Sequence, residues 1–238
     1  DRGAKALELT PENRSRFGID KAHVTPQELM QTLLKAEVDL LWFGGIGTYL
    51  KSSEETNAEV GDKANDALRI DGRDVRAKVI GEGANLGVTQ RGRIEAAQHG
   101  VRLNTDAIDN SAGVDTSDHE VNIKILLNDV VARGDMTMKQ RDLLLAEMTD
   151  EVAGLVLADN YLQTQALTVA RAQGPDALEA QARFIRALEK AGRLNRAIEY
   201  LPDEEELSAR MANRQGLTRP ELAVLLAYAK ITLYDDLL

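Results

Sequence analysis

The sequence predicts an α/β fold that gives way to an all-α second half, and three observations carry that prediction. Apolar runs too short for buried helices, ended by glycine or a polar residue, recur through the first half. Helix-like segments lie between those runs. Beyond about residue 119 every apolar pattern follows the helical period. The expected division is therefore 1–118, part of a parallel sheet with interleaved helices, and 119–238, a helical domain.

Taken in order, the five prolines open helices, because proline is tolerated in the first helical turn and disruptive further in. Thr10-Pro11-Glu12 and Thr25-Pro26-Gln27-Glu28 each set a capping hydroxyl before proline and an acidic side chain. Val38 to Phe43 (VDLLWF) reads as a strand ending at Gly44-Gly45. A helix is expected over 54–69. Arg76 to Ile80 (RAKVI) reads as a second strand ending at Gly81-Glu82-Gly83, with a helix over 90–99 and a third strand over Val101 to Asn104. Strand, loop and helix repeated in this order is the pattern of a parallel sheet. In the second half, Thr137 and Gln140 have capping-box spacing ahead of a helical apolar pattern that includes Leu143, Leu144, Met148 and Val152. Pro175 and Pro202 open two more helices, the acidic run Asp203 to Glu206 fits a helix N-terminus, and Thr218-Arg219-Pro220-Glu221 opens the last. That last helix is apolar on more than one face, which calls for burial on its own neighbours or at an interface.

Composition bounds the function. At 238 residues, with 43% apolar and 29% charged side chains, the chain has a globular balance that excludes disordered and fibrous classes. Thirty-nine acidic residues against 29 basic ones leave a net charge of −10, which argues against nucleic acid and anionic lipid as partners. The absence of cysteine removes disulfides, thiolate catalysis, Cys-based zinc sites and iron–sulfur clusters together. The cytoplasm is the expected compartment. No apolar run approaches the roughly 20 residues of a membrane span, and the first residues have neither the basic nor the apolar region of a secretion signal. A start without Met and a stop on DDLL suggest a piece excised from a longer protein.

Ligands of open parallel sheets bind outside the carboxyl ends of the strands, so the loops Gly44 to Tyr49, Gly81 to Thr89 and Thr105 to Asp118 are the expected site. GGIGTY lacks the third glycine of a dinucleotide fingerprint and the Lys-Ser/Thr of a P-loop. As a phosphate loop it is weak, and glycines that let the chain turn tightly after a strand are the better reading. EGANLGVTQ puts the Asn85 amide just past a strand end. DNSAGVDTSDHE crowds Asn110, Ser111, Asp115, Ser117, Asp118, His119 and Glu120 together, and a polar loop ending in a helix cap at Thr116 or Ser117 accounts for part of that density.

VIGEGAN followed by a helix, then DNSAGVDTSDHE, resembles the end of the NAD-binding domain of glutamate dehydrogenases. The family's N-x-x-G-V-x-x-S-x-x-E stretch falls on Asn110, Gly113, Val114, Ser117 and Glu120. DLLWFGGIGTYLK, GVTQRGRIE and the terminal QGLTRPELAVLLAYAKITLYDDLL resemble the large, multidomain, NAD-specific bacterial class in particular.

The resemblance implies a partial Rossmann-like sheet, NAD as cofactor, and oxidative deamination of L-glutamate to 2-oxoglutarate and ammonium by a homo-oligomeric parent. Asn85 then lies near the nicotinamide and Asn110 near its ribose. Ser117 binds the side-chain carboxylate of glutamate or 2-oxoglutarate, a fitting role for a hydroxyl donor. Gly44, Gly45 and Gly83 line the cofactor groove. The sequence departs from smaller members at Ser111-Ala112 and Asp118-His119. The family's catalytic Lys and Asp and its glycine-rich phosphate turn have no counterpart in residues 1–238, so this piece alone is expected to be inactive and to carry no catalytic residue and no metal. Two alternatives stay open: a dehydrogenase of branched or aromatic amino acids, which Ser117 disfavours, and a non-catalytic binding or assembly module.

Overall fold

A computed structural model describes residues 3–238. The chain forms two compact units, one built from the chain up to Asp106 together with Leu167–Leu238, the other from Ala107–Ala166.

The first unit opens with β1 (Leu7–Glu8) and β2 (His23–Val24), an antiparallel pair flanking α1 (Pro11–Phe17). Thr10 caps α1 by accepting from the Asn13 amide, and Gly18 ends it in the left-handed conformation (φ 63°) that glycine adopts without penalty. Thr25 and Glu28 form a full capping box on α2 (Pro26–Leu34). Then come β3 (Leu40–Phe43), β4 (Leu50–Lys51), α3 (Asn57–Val60), β5 (Ile70–Asp71), β6 (Val79–Glu82) and α4 (Gln90–Gln98). β3 and β6 run parallel with Leu40 opposite Val79 and Phe43 opposite Glu82. β4 and β5 form a second parallel pair. Phe43, Leu50, Ile70, Ile80, Val88 and Leu103 are the centre of the buried core. The alternation of the pleat turns Leu40 and Trp42 outward, where both are more than half exposed.

Three expectations need correction here. Residues 54–69 are not one helix: the Thr56–Glu59 capping box starts α3, Gly61 (φ 78°) ends it, and a single 3₁₀ turn follows at Lys63–Asn65. The buried Arg69 guanidinium then holds this segment in irregular form by donating to Thr48 O, Asn57 Oδ1, Asp62 O and Asp66 Oδ1. The third strand shrinks to one parallel bridge between Arg102 and Val79. The second strand runs on through Gly81 and Glu82, so its loop begins at Gly83.

In the second unit, α6 (Ser111–Ala132) follows the short α5 (Asp106–Asp109), and α7 (Met138–Glu147) carries the expected Thr137–Gln140 box. The sequence DNSAGVDTSDHE is thus helix from Ser111 onward and not a loop capped at Thr116 or Ser117. Its small polar residues have weak intrinsic helix propensity. Thr116 Oγ1 donates back to Ala112 O, and Ser111 contacts the next long helix, so these polar groups find partners within the helix and across to its neighbour. That helix, α8 (Thr149–Gln173), runs from the second unit back into the first. There α9 (Leu178–Lys190), α10 (Glu204–Ala212) and α11 (Arg219–Leu237) complete the chain. α11 packs on α4 and buries Leu222, Ala223 and Leu225, whereas Ile231, Leu233 and Tyr234 near its end are exposed. All five prolines stand at or just before helix starts, as expected. Among the described residues no helix is long and apolar enough to cross a membrane.

Candidate functional site

The parallel pairing of β3 and β6 delivers Gly44-Gly45 and Gly83-Asn85 side by side at the carboxyl ends of the strands. Ala84 N donates to Phe43 O at 3.0 Å, locking the two loops together. The turn after β6 is shaped tightly. Leu86 adopts a positive φ of 62°, uncommon for a residue with a side chain, and its amide donates to Asp106 Oδ2 at 2.8 Å.

Beneath this turn lies an ion network. Glu82, 1% exposed, accepts a two-pronged contact from Arg93 on α4, with Nε to Oε1 at 2.6 Å and Nη2 to Oε2 at 2.9 Å. The Val88 amide adds a third donor at 3.2 Å. Arg93 also reaches Asp106 Oδ2 at 3.2 Å. Burial works against the Arg93 charge, but the hydrogen bonds and charges of Glu82 and Asp106 outweigh it and hold the guanidinium above its ordinary value. One arginine therefore ties the strand end and the start of α5 to opposite flanks of the Asn85 turn.

Trp42 lies against the backbone of Gly81 and Gly83. A Cβ at Gly81 would fall 2.6 Å from the indole and one at Gly83 would be closer still, so both positions must be glycine for the ring to sit there. The indole is 57% exposed. Around Gly45 the space is open, and Asn85 is exposed at the surface of the turn. Glu82, Arg93, Asp106 and Trp42 were not singled out from sequence. The readable signal was the Glu of EGAN, an acidic residue at the inner end of an apolar strand.

In the second unit, Asn110 stands at the N-cap position of α6 and makes no side-chain capping bond. Positions 110, 113 and 117 recur at three and four residues, which puts Asn110, Gly113 and Ser117 on one stripe of the helix. A Cβ at Gly113 would meet nothing within 4 Å, and Ser117 is exposed, its hydroxyl making no hydrogen bond among the described residues. Ser111 hydrogen-bonds to Asn160 and accepts from Gln163 Nε2 at 2.5 Å, which fixes the start of α6 on α8.

His119 lies on the side of α6 away from Ser117. Its Nε2 is 3.7 Å from Asp115 Oδ1 and 3.7 Å from Asp159 Oδ2, and one ligand atom from each residue falls within 4.8 Å of the others. These are ion-pair distances for a protonated imidazole, and they are also compatible with a cation. Gly44, Gly45, Gly83 and Asn85 thus come together in one unit, Asn110 and Ser117 in the other.

Residues 1–170 match the sequence model of the family described as bacterial NAD-glutamate dehydrogenase, catalytic domain. The chain belongs to this family. Residues 214–238 match a second description, glutamate dehydrogenase, C-terminal. All of the chain aligns with the NAD-specific glutamate dehydrogenases of Halomonas elongata and Pseudomonas aeruginosa, each at 58% identity over 237 residues. The NAD-specific glutamate dehydrogenase of Mycobacterium tuberculosis is 48% identical over 243 residues. In each case the chain covers 15% of the relative's length, so it corresponds to one segment of a long glutamate dehydrogenase chain.

Proposed function

We propose that the protein containing this segment is a cytoplasmic, homo-oligomeric, NAD-dependent glutamate dehydrogenase, and that the segment supplies part of its cofactor and substrate contacts. The observation that carries the substrate half of this reading is the stripe formed by Asn110 at the N-cap of α6 with Gly113 and Ser117 on its first turns, Asn110 half-buried and the other two exposed. A free hydroxyl with a glycine one turn before it gives a carboxylate a donor and room to approach. In this reading 1–118 is the C-terminal part of a Rossmann-like dinucleotide-binding domain and 119–238 is a helical domain, with α6 running through the division.

For the cofactor, the open space at Gly45 and the exposed amide of Asn85 suit the nicotinamide end, whose carboxamide both donates and accepts. When bound, NAD supplies the hydride acceptor for the substrate Cα. The chain's own task is to present Asn85 at a fixed height above the strand ends, through Ala84, Leu86 and the Glu82–Arg93–Asp106 network. The glycine-rich turn that normally cradles the pyrophosphate at a helix N-terminus has no match in the sequence, so residues 1–238 alone are proposed to be inactive.

The test is NADH oxidation by the full-length protein with ammonium and 2-oxoglutarate, repeated with a branched-chain 2-oxo acid and with NADPH. A rate confined to 2-oxoglutarate and NADH is expected. No rate with any pair from a folded protein would overturn the reading in favour of a non-catalytic module.

A further inference from the structure

We infer that the cavity of about 610 Å³ bounded by α4, residues 100–103, the last turn of α8 and the start of α11 binds a compact, phosphate-bearing anion. All of its walls belong to the first unit. Arg102, Arg171 and Arg219 line it together with the hydroxyl-bearing Thr168, and no carboxylate lines it. None of the residues assigned above to cofactor or substrate is among the lining groups.

The arrangement is unusual for this chain. Acidic residues exceed basic ones by ten, and most arginines are paired with carboxylates, Arg69, Arg93, Arg196 and Arg210 among them. Arg102 and Arg171 are not: among the described residues their side chains make neither a hydrogen bond nor an ion pair. Arg219 is fixed in place by donating from Nε to Asn104 Oδ1 and from Nη1 to Thr168 Oγ1, both at 2.9 Å.

Like charges gathered in a concavity repel one another, and the low-dielectric wall strengthens that repulsion. A multivalent anion reverses the sign of the interaction. Guanidinium forks match the geometry of phosphate oxygens, and a hydroxyl on the wall complements them. The start of the 19-residue α11 also faces this cavity, and its dipole adds positive potential at Thr218 and Arg219. At Gly100 a side chain would meet nothing within 4 Å, so the mouth is open to a ligand of several oxyanion groups.

The experiment is calorimetric titration of inorganic tripolyphosphate into the full-length protein. It compares wild type, Arg102→Gln/Arg171→Gln, and Arg214→Gln, which removes an exposed arginine that does not line the cavity. Saturable binding of one tripolyphosphate per chain is expected, at least tenfold weaker in the double variant and unchanged in Arg214→Gln. NAD affinity should stay within twofold in all three proteins. Both replaced side chains lack partners, so folding should be kept, and Arg171→Gln alone provides a milder version with an intermediate loss. Absence of saturable binding, equal binding in the double variant, or an equal loss in Arg214→Gln would overturn the inference. A parallel fall in NAD affinity would also overturn it, by placing these arginines in the cofactor site.

Discussion

Two buried arginine–glutamate pairs, one in the sheet region and one among the C-terminal helices, share a geometry and differ in what surrounds them. Glu82 and Glu221 are each 1% exposed, and each takes a two-pronged guanidinium contact, from Arg93 and Arg210 respectively. Glu221 is the third residue of a capping box, so it also accepts from the amide and hydroxyl of Thr218, both at 2.6 Å. Glu82 accepts from the Val88 amide at the longer distance of 3.2 Å. Arg210 has a second carboxylate in Glu206, and its charge is held well above the ordinary range: burial opposes it, and Glu221 and Glu206 more than compensate. Arg93 spends its second contact on Asp106, which in turn holds the Leu86 amide. The same ion pair therefore starts a helix in one region and sets the height of a loop in the other.

That contrast can be broken by removing one arginine at a time. Arg93→Met strips the buried Glu82 of its two-pronged guanidinium contact, and a loss of about 3–5 kcal/mol in unfolding free energy is expected. Faster amide exchange at Leu86 should accompany it. Arg210→Met leaves Glu221 with the two Thr218 donors, so a smaller loss, about 1–3 kcal/mol, is expected. Denaturant unfolding of the two variants measures both, and equal losses would mean that the remaining donors do not set the difference. Below these in size comes Thr137→Ala, which removes the cap of α7 in a region with no such pair and should cost about 1 kcal/mol.

The smallest effect concerns exposed charge. Glu204 accepts from Arg186 and Arg196, which hold its carboxyl down at about 2. A carboxyl depressed in the folded state stabilises above its ordinary value of 4.5 and loses that contribution as pH falls towards 2. Glu204→Gln should therefore lower the midpoint of unfolding at neutral pH by a small amount, and the gap between variant and wild type should close on acidification. A gap that persists at pH 2 would contradict the assignment.

Local signals are legible in the sequence, and contacts between distant residues are not. Prolines, the Thr137–Gln140 box, β3 and α4 follow from patterns a few residues long, and β6 follows in part, its second half running past the expected end at Ile80. The helix expected over 54–69 fails because Arg69 organises that stretch through partners from Thr48 to Asp66. The expected loop before Asp118 fails for the converse reason: Ser, Asp and Thr argue against helix locally, while Ser111 is held by Asn160 and Gln163 some fifty positions away. Of the candidate site, Asn85 and Ser117 were legible because they sit in a recognisable motif. Arg93 and Asp106 were not, since an arginine 11 positions from Glu82 and 13 from Asp106 leaves no periodic mark. Trp42 looked like an ordinary strand residue, and its place against Gly81 and Gly83 depends on the β3–β6 register.

The central claim is that this segment divides its work, with the Asn85 turn serving the cofactor and the α6 stripe serving the substrate. Ser117→Ala in the full-length protein tests it most directly, because the hydroxyl is exposed and without a structural partner. The account predicts a KM for 2-oxoglutarate raised at least tenfold, with the KM for NADH and the unfolding midpoint unchanged. Kinetics indistinguishable from wild type, or a loss that falls equally on NADH, would contradict it.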